Sequence, residues 1–147
     1  MPAKKYYIAY GSNLSVAQMK LRCPDAKIVG KAVLHEWKLE FKVHASITQC
    51  PGKEVPVVIW EISERDERNL DYYEGYPKYY SKHYMTLVMT SLKGDNPKHI
   101  IGMAYIMTDI RSELSPPSYE YMHIIEEGYL MFGFDTSILD EAVLESL

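Results

Sequence analysis

Strand-type and helix-type signals are segregated along this chain. Through residue 107 it reads mostly as β-type runs: Tyr6–Tyr10, which stops at Gly11, then Ile28–Leu34, Trp37–Phe41, Val43–Thr48 and Val55–Ile62. Two more, Tyr84–Met89 and Ile100–Met107, flank a turn at Gly94-Asp95-Asn96-Pro97. Helix starts interrupt this region at Ser15-Val16-Ala17-Gln18 and at Ser63-Glu64-Arg65-Asp66, both with the spacing of a capping box. The second carries a helix through Leu70 towards Tyr73. Beyond residue 107 the signals are helical. Pro116-Pro117-Ser118 leads into a segment where Tyr121, Ile124, Ile125 and Tyr129 recur at helical spacing. Ser137-Ile138-Leu139-Asp140 reads as a capping box opening a last helix with Ile138, Leu139, Ala142, Val143 and Leu147 inward. Strands that outnumber helices, with the helices grouped, predict an α+β fold.

At 147 residues the chain fits one domain, 1–147, able to bury a core without disulfides or metals. Its net charge of −4 and the lack of a basic stripe beyond Lys4-Lys5 argue against nucleic acid as a partner. No apolar run approaches the ~20 residues of a membrane span. Met1-Pro2-Ala3-Lys4-Lys5 leads into a strand rather than a signal-peptide core, so a cytoplasmic protein is expected. Cys23 and Cys50 fit no zinc or redox spacing and read as reduced thiols, and the five histidines match no metal-ligand spacing. Thirteen tyrosines against three phenylalanines suit a pocket that must be both packed and polar. Together with eight methionines they also supply material for an interface, and a homodimer is the expected assembly.

Two segments carry candidate chemistry. In Tyr10-Gly11-Ser12-Asn13-Leu14, Gly11 permits close backbone approach, and the N–H groups ahead of a capped helix can converge on a carboxylate or a developing oxyanion. An ordinary strand–turn–helix connection uses the same residue types. In Asp71-Tyr72-Tyr73-Glu74-Gly75-Tyr76-Pro77-Lys78-Tyr79-Tyr80, a helix ends near Glu74, because Gly75 can turn left-handed and Pro77 cannot continue. Aromatic walls and a helix C-terminus both push a carboxyl pKa up from its usual ~4.3, as a general acid/base requires. A solvated glutamate at a helix end has the same spacing.

In combination, Ile8-Ala9-Tyr10-Gly11-Ser12-Asn13-Leu14 followed by Glu74-Gly75-Tyr76-Pro77 resembles the γ-glutamylcyclotransferase family. Arg22-Cys23-Pro24-Asp25-Ala26, Trp37–Phe41, Val58-Ile59-Trp60-Glu61-Ile62, Tyr105-Ile106-Met107 and Pro116–Tyr121 extend the resemblance from Lys5 to Phe134. It implies a mixed, strongly curved, barrel-like sheet with flanking helices and a pocket at one end. It also implies cyclisation of a γ-glutamyl group to 5-oxoproline with release of an amino acid or amine. Glu74 would be the acid/base, Tyr10, Gly11, Ser12, Asn13, Leu14 and Ser15 the substrate loop, and Tyr121 a contact from the later helix. The hydroxyls of Tyr10, Tyr80 and Tyr121 are candidates to complete the shell, whereas Tyr72, Tyr73, Tyr79 and Tyr84 read as packing residues and Asp71 as solvated. Pro56 departs from the family pattern, which carries glycine there; proline belongs at a strand start, edge or bulge and bears on the pocket wall.

Such a reaction needs no cofactor, because the substrate's own α-amine is the nucleophile. Ser12 lacks a nucleophile-elbow motif, and neither cysteine has an evident histidine partner. The alternative is a non-catalytic binding module that retains the γ-glutamyl pocket.

Overall fold

The computed structural model describes residues 4–147. Met1, Pro2 and Ala3, part of the stretch read as leading into a strand, lie outside the described residues. Among the described residues five strands and four helices follow in the order β1 (Lys5–Ala9), α1 (Val16–Arg22), β2 (Lys27–Lys42), β3 (His44–Ile62), α2 (Glu64–Glu74), β4 (Tyr80–Met89), β5 (Lys98–Met107), α3 (Tyr119–Phe132) and α4 (Thr136–Ser146), with a 3₁₀ turn at Ser12–Leu14. The sheet order is β2-β3-β1-β5-β4; β1 and β5 run parallel and every other neighbouring pair is antiparallel.

The expected α+β class and curved sheet are what the chain adopts, and the sheet is curled but not closed. Its outer strands meet at one point, where Lys31 and Thr90 exchange backbone hydrogen bonds of 3.0 and 2.9 Å. Gly30 makes that approach possible: a Cβ there would lie 2.2 Å from the Thr90 carbonyl oxygen. Away from this point the β2 and β4 edges part, and a cavity of about 660 Å³ lies between them. Contrary to the expectation that it bears on the pocket wall, Pro56 lines this cavity and not the one containing Glu74. It pairs with Val33 of β2 beyond the last β1 partner of β3, Val58, so β3 is unflanked by β1 there.

Four of the expected short strands are halves of two long ones. Ile28–Leu34 and Trp37–Phe41 both belong to β2, and Val43–Thr48 and Val55–Ile62 fall within the span of β3 apart from Val43. The Gln49–Glu54 stretch between the two expected runs stays within the hairpin. The register passes from His35↔Glu54 to Trp37↔Gln49, so Cys50–Lys53 bulges opposite Glu36. There the Glu36 carboxylate accepts from the Gly52 amide at 2.6 Å. Val43, the hairpin tip, has φ of 70°, a region β-branched residues rarely take. It is held there because its amide donates to the Ser115 carbonyl and the Ser115 amide to that of Phe41, both at 2.9 Å.

Helix boundaries follow their caps. Ser63 and Asp66 form the expected capping box at the start of α2, and Gly75 ends that helix in the left-handed region at φ 68°. Ser15 caps α1 by accepting from the Gln18 amide. The box expected at Ser137 does not form. Asp135, two residues after the left-handed Gly133 that closes α3, reaches the N-terminus first, and its carboxylate accepts from the Ser137 amide at 3.0 Å. Among the described residues no helix is long and apolar enough to cross a membrane.

One core group is left unpaired. Tyr129 of α3 is fully buried edge-on against Phe134, and its hydroxyl has no hydrogen-bond partner among the described residues. A buried, unpaired hydroxyl costs roughly 1–3 kcal/mol. Tyr129→Phe is therefore expected to raise the urea midpoint, by about 1 kcal/mol of stability. A loss of stability would show that the hydroxyl is satisfied in solution.

Candidate active site

A cavity of about 410 Å³ opens where β1 gives way to the 3₁₀ turn, opposite the end of α2. Its walls are the Tyr10–Asn13 loop, the hairpin tip at His44 and Ala45, the α2 terminus at Tyr72–Gly75, Tyr80 of β4, and Tyr121 of α3.

The loop owes its shape to Asn13. Its side-chain amide donates to the Tyr7 hydroxyl at 2.9 Å, its side-chain oxygen accepts from Arg22 at 2.5 Å, and its carbonyl accepts from the buried Trp60 indole at 3.1 Å. Within the turn the Leu14 amide donates to the Gly11 carbonyl and that of Ser15 to the Ser12 carbonyl. The first amides of such a turn have no acceptor inside it, which leaves Gly11, Ser12 and Asn13 as the loop's donors. Leu14 and Ser15, expected in the substrate loop, do not line the cavity. Leu14 is fully buried beneath α3, where a Cβ at Gly128 would come within 2.6 Å of it, and Ser15 serves as the cap of α1. Gly11 faces Ala45 at a distance that leaves little room, 3.3 Å from an added Cβ.

Helix α2 is strapped along its length, and this fixes Glu74. At its start Asp66 accepts from the Asp25 amide, while the Asp25 carboxylate accepts from Ser63 and pairs with Arg65. Asn69 donates to the Arg22 carbonyl. One turn before Glu74, Asp71 accepts from the Tyr105 hydroxyl at 2.6 Å and pairs with Lys82, which also holds Glu67. Asp71 is thus an anchor between α2 and the sheet rather than a solvated residue.

Glu74 supplies the carboxyl group lining the cavity, and Arg111 the guanidinium. Loss of solvation raises the Glu74 pKa to about 7, and the Arg22 guanidinium pulls it partly back. The Arg22 guanidinium carbon lies over the Tyr73 ring, 3.4 Å from its centre, and the side chain reaches Ser12 Oγ at 3.3 Å as well as Asn13. It therefore couples the loop to the end of α2.

The tyrosines divide by where their protons go. Tyr10 Oη donates to the Tyr105 carbonyl at 2.7 Å and Tyr80 Oη to the Ala45 carbonyl at 2.9 Å, so both protons are used inside the protein. Tyr121 Oη instead accepts from the Ala45 amide at 3.1 Å, and Tyr7 Oη accepts from Asn13. Among the described residues neither of these two hydroxyls donates to a backbone carbonyl, so both can donate into the cavity, with the Ser12 side chain also beside Tyr121 Oη. Burial, reinforced by the Glu74 charge, raises the pKa values of Tyr7 and Tyr121, so both stay protonated donors. Tyr72, Tyr73 and Tyr79 are not core packing: all are exposed and line the mouth, and Tyr84 is exposed on β4.

Several residues here gave no local signal. Tyr7 is indistinguishable from the rest of its strand, and Arg22 stands nine residues beyond Asn13, the last residue of the loop it clamps. His44 and Arg111 come from a hairpin tip and a connection between β5 and α3.

The chain matches the family model described as gamma-glutamyl cyclotransferase, AIG2-like, over residues 7–128. It is 33% identical over 134 residues to the gamma-glutamylcyclotransferase of Homo sapiens, covering 83% of this chain and 68% of that protein, and 31% identical over the same shares to that of Mus musculus. A solved structure titled gamma-glutamyl cyclotransferase superposes with a TM-score of 0.76 at 30% identity, covering 95% of this chain and 86% of the other.

Proposed function

Because the chain belongs to the gamma-glutamyl cyclotransferase, AIG2-like family and is an enzyme of that type, we propose that Glu74 is the general acid/base that closes a γ-glutamyl group to 5-oxoproline. The observation that carries this reading is a half-buried carboxyl with a pKa of about 7, facing a loop of free amides across a cavity large enough for a dipeptide.

The substrate's α-nitrogen begins as an ammonium ion and ends as a lactam N–H, while the departing nitrogen gains protons. Glu74 takes the first proton from the ammonium, freeing a lone pair that attacks the γ-carbonyl carbon. Protonated Glu74 then gives that proton to the departing nitrogen as the C–N bond breaks, takes the second proton from the ring nitrogen, and passes it to the released amine, which leaves as an ammonium ion and returns Glu74 to its carboxylate. A pKa near neutrality lets one group serve in both directions. Ring closure gains most of its advantage from holding amine and carbonyl about 3 Å apart. The amides of Gly11, Ser12 and Asn13 and the hydroxyls of Tyr7 and Tyr121 are suited to the glutamyl oxygens and to the charge that develops on the carbonyl. Tyr10 and Tyr80 shape the wall and offer only lone pairs. The free thiols of Cys23 and Cys50 accord with a cytoplasmic setting.

The test is release of 5-oxoproline from a panel of γ-glutamyl dipeptides and γ-glutamyl amines. At least one member should be cyclised without added metal or nucleotide; a panel left wholly intact would count against the reading.

A further inference from the structure

Arg111 has no catalytic part in the reaction as drawn. It lies in the connection between β5 and α3, which is fixed at both ends. The Thr108 amide donates to the Tyr79 carbonyl at 2.9 Å, and the Ser115 amide to that of Phe41 at 2.9 Å. Between those ties Arg111 lines the cavity beside His44, Tyr79 and Tyr80. Among the described residues no carboxylate lies within salt-bridge distance of it. The other cavity wall already offers the amides of Gly11 to Asn13 and the hydroxyls of Tyr7 and Tyr121. The cavity therefore holds two separate anion-binding elements, and a γ-glutamyl group brings only one permanent carboxylate. His44 does not compete as a second cation, because burial, with help from Arg111, holds its pKa below the usual histidine range.

We propose that Arg111 determines leaving-group specificity by binding a carboxylate carried by the departing amine, so that γ-glutamyl amino acids are preferred over uncharged γ-glutamyl amines. This rests on the reading of Glu74 and its cavity given above. A guanidinium suits the task because it presents a planar fork of donors that matches a carboxylate, and it stays charged at every working pH.

The experiment compares γ-glutamyl-alanine with γ-glutamyl-ethylamine, which differs only by loss of the carboxylate. The readout is the ratio of their kcat/KM values, taken within each protein so that any folding loss cancels. In Arg111→Ala that ratio should fall by about 10- to 100-fold, mostly through KM for the dipeptide, as expected when one charged hydrogen-bonded contact is lost. Arg111→Lys should retain part of the preference. Equal losses on both substrates would mean that Arg111 serves the glutamyl half or the loop's structure, and would overturn the proposal, as would an unchanged ratio. Calorimetric binding of the same two compounds to Glu74→Gln, with and without Arg111→Ala, reads the contact without turnover. If the wild type turns over neither compound but binding shows an Arg111-dependent preference for the dipeptide, the specificity assignment stands and the catalytic one falls. If binding shows no such preference, the assignment of Arg111 falls.

Discussion

Glu74→Gln is expected to lower kcat for 5-oxoproline release by about 10²- to 10⁴-fold while leaving ligand affinity within a fewfold. Glutamine keeps the shape of the side chain and removes its ability to carry a proton. The same variant should unfold less readily than the wild type at alkaline pH. The folded Glu74 pKa is about 7 against 4.5 for the unperturbed group. Below the lower value the carboxyl is protonated in both states and costs nothing. As pH rises through the window between them, the unfolded chain ionises freely while the folded one resists, and stability falls until the folded group ionises too. Removing the charge should therefore recover up to about 3 kcal/mol above neutrality and nothing in acid. Thermal unfolding across that range would read it. Lost turnover together with raised alkaline stability separates a chemical role from a folding defect. Under the binding-module reading, the wild type would show little turnover, and the variant would bind anionic ligands more tightly.

Arg22→Met should shift the acid limb of the kcat/KM profile to higher pH and lower kcat/KM at neutrality by about 10- to 100-fold. Two losses add. The guanidinium opposes the effect of burial on Glu74, so without it a smaller share of the enzyme holds the carboxylate needed to accept the first proton. The buried Asn13 side chain also loses a charged donor, and with it the loop loses its tie to α1. Methionine retains packing against Tyr73. Arg22→Lys keeps the charge without the planar fork and should leave the limb nearer its original position while weakening binding. A Met variant whose limb stays in place, or moves to lower pH, would show that Arg22 does not tune Glu74.

Local chemistry alone fixes a good part of this protein. Ser63 with Asp66 starts α2 and Gly75 ends it, because capping hydrogen bonds and left-handed backbone are decided within a few residues. That pair of signals is enough to put Glu74 on the last turn of a helix among tyrosines. The pairing of Tyr10–Asn13 with Glu74–Gly75 pointed to the right family for the same reason: both are short segments with a full local rationale. Tertiary structure decided what those segments meet. A strand's alternation cannot say whether it joins its neighbour, so β2 and β3 read as four pieces until their hairpin pairing is known. Nor can it say that Leu14 turns under α3 while Asn13 becomes the junction of Tyr7, Arg22 and Trp60. Whether a tyrosine gives its proton to the protein or keeps it for the cavity depends on which backbone group lies opposite. For Tyr80 and Tyr121 that group belongs to Ala45, more than thirty residues away from either. Contacts between residues so far apart in sequence leave no local pattern, because they are set by how the sheet curls and not by what stands next in the chain.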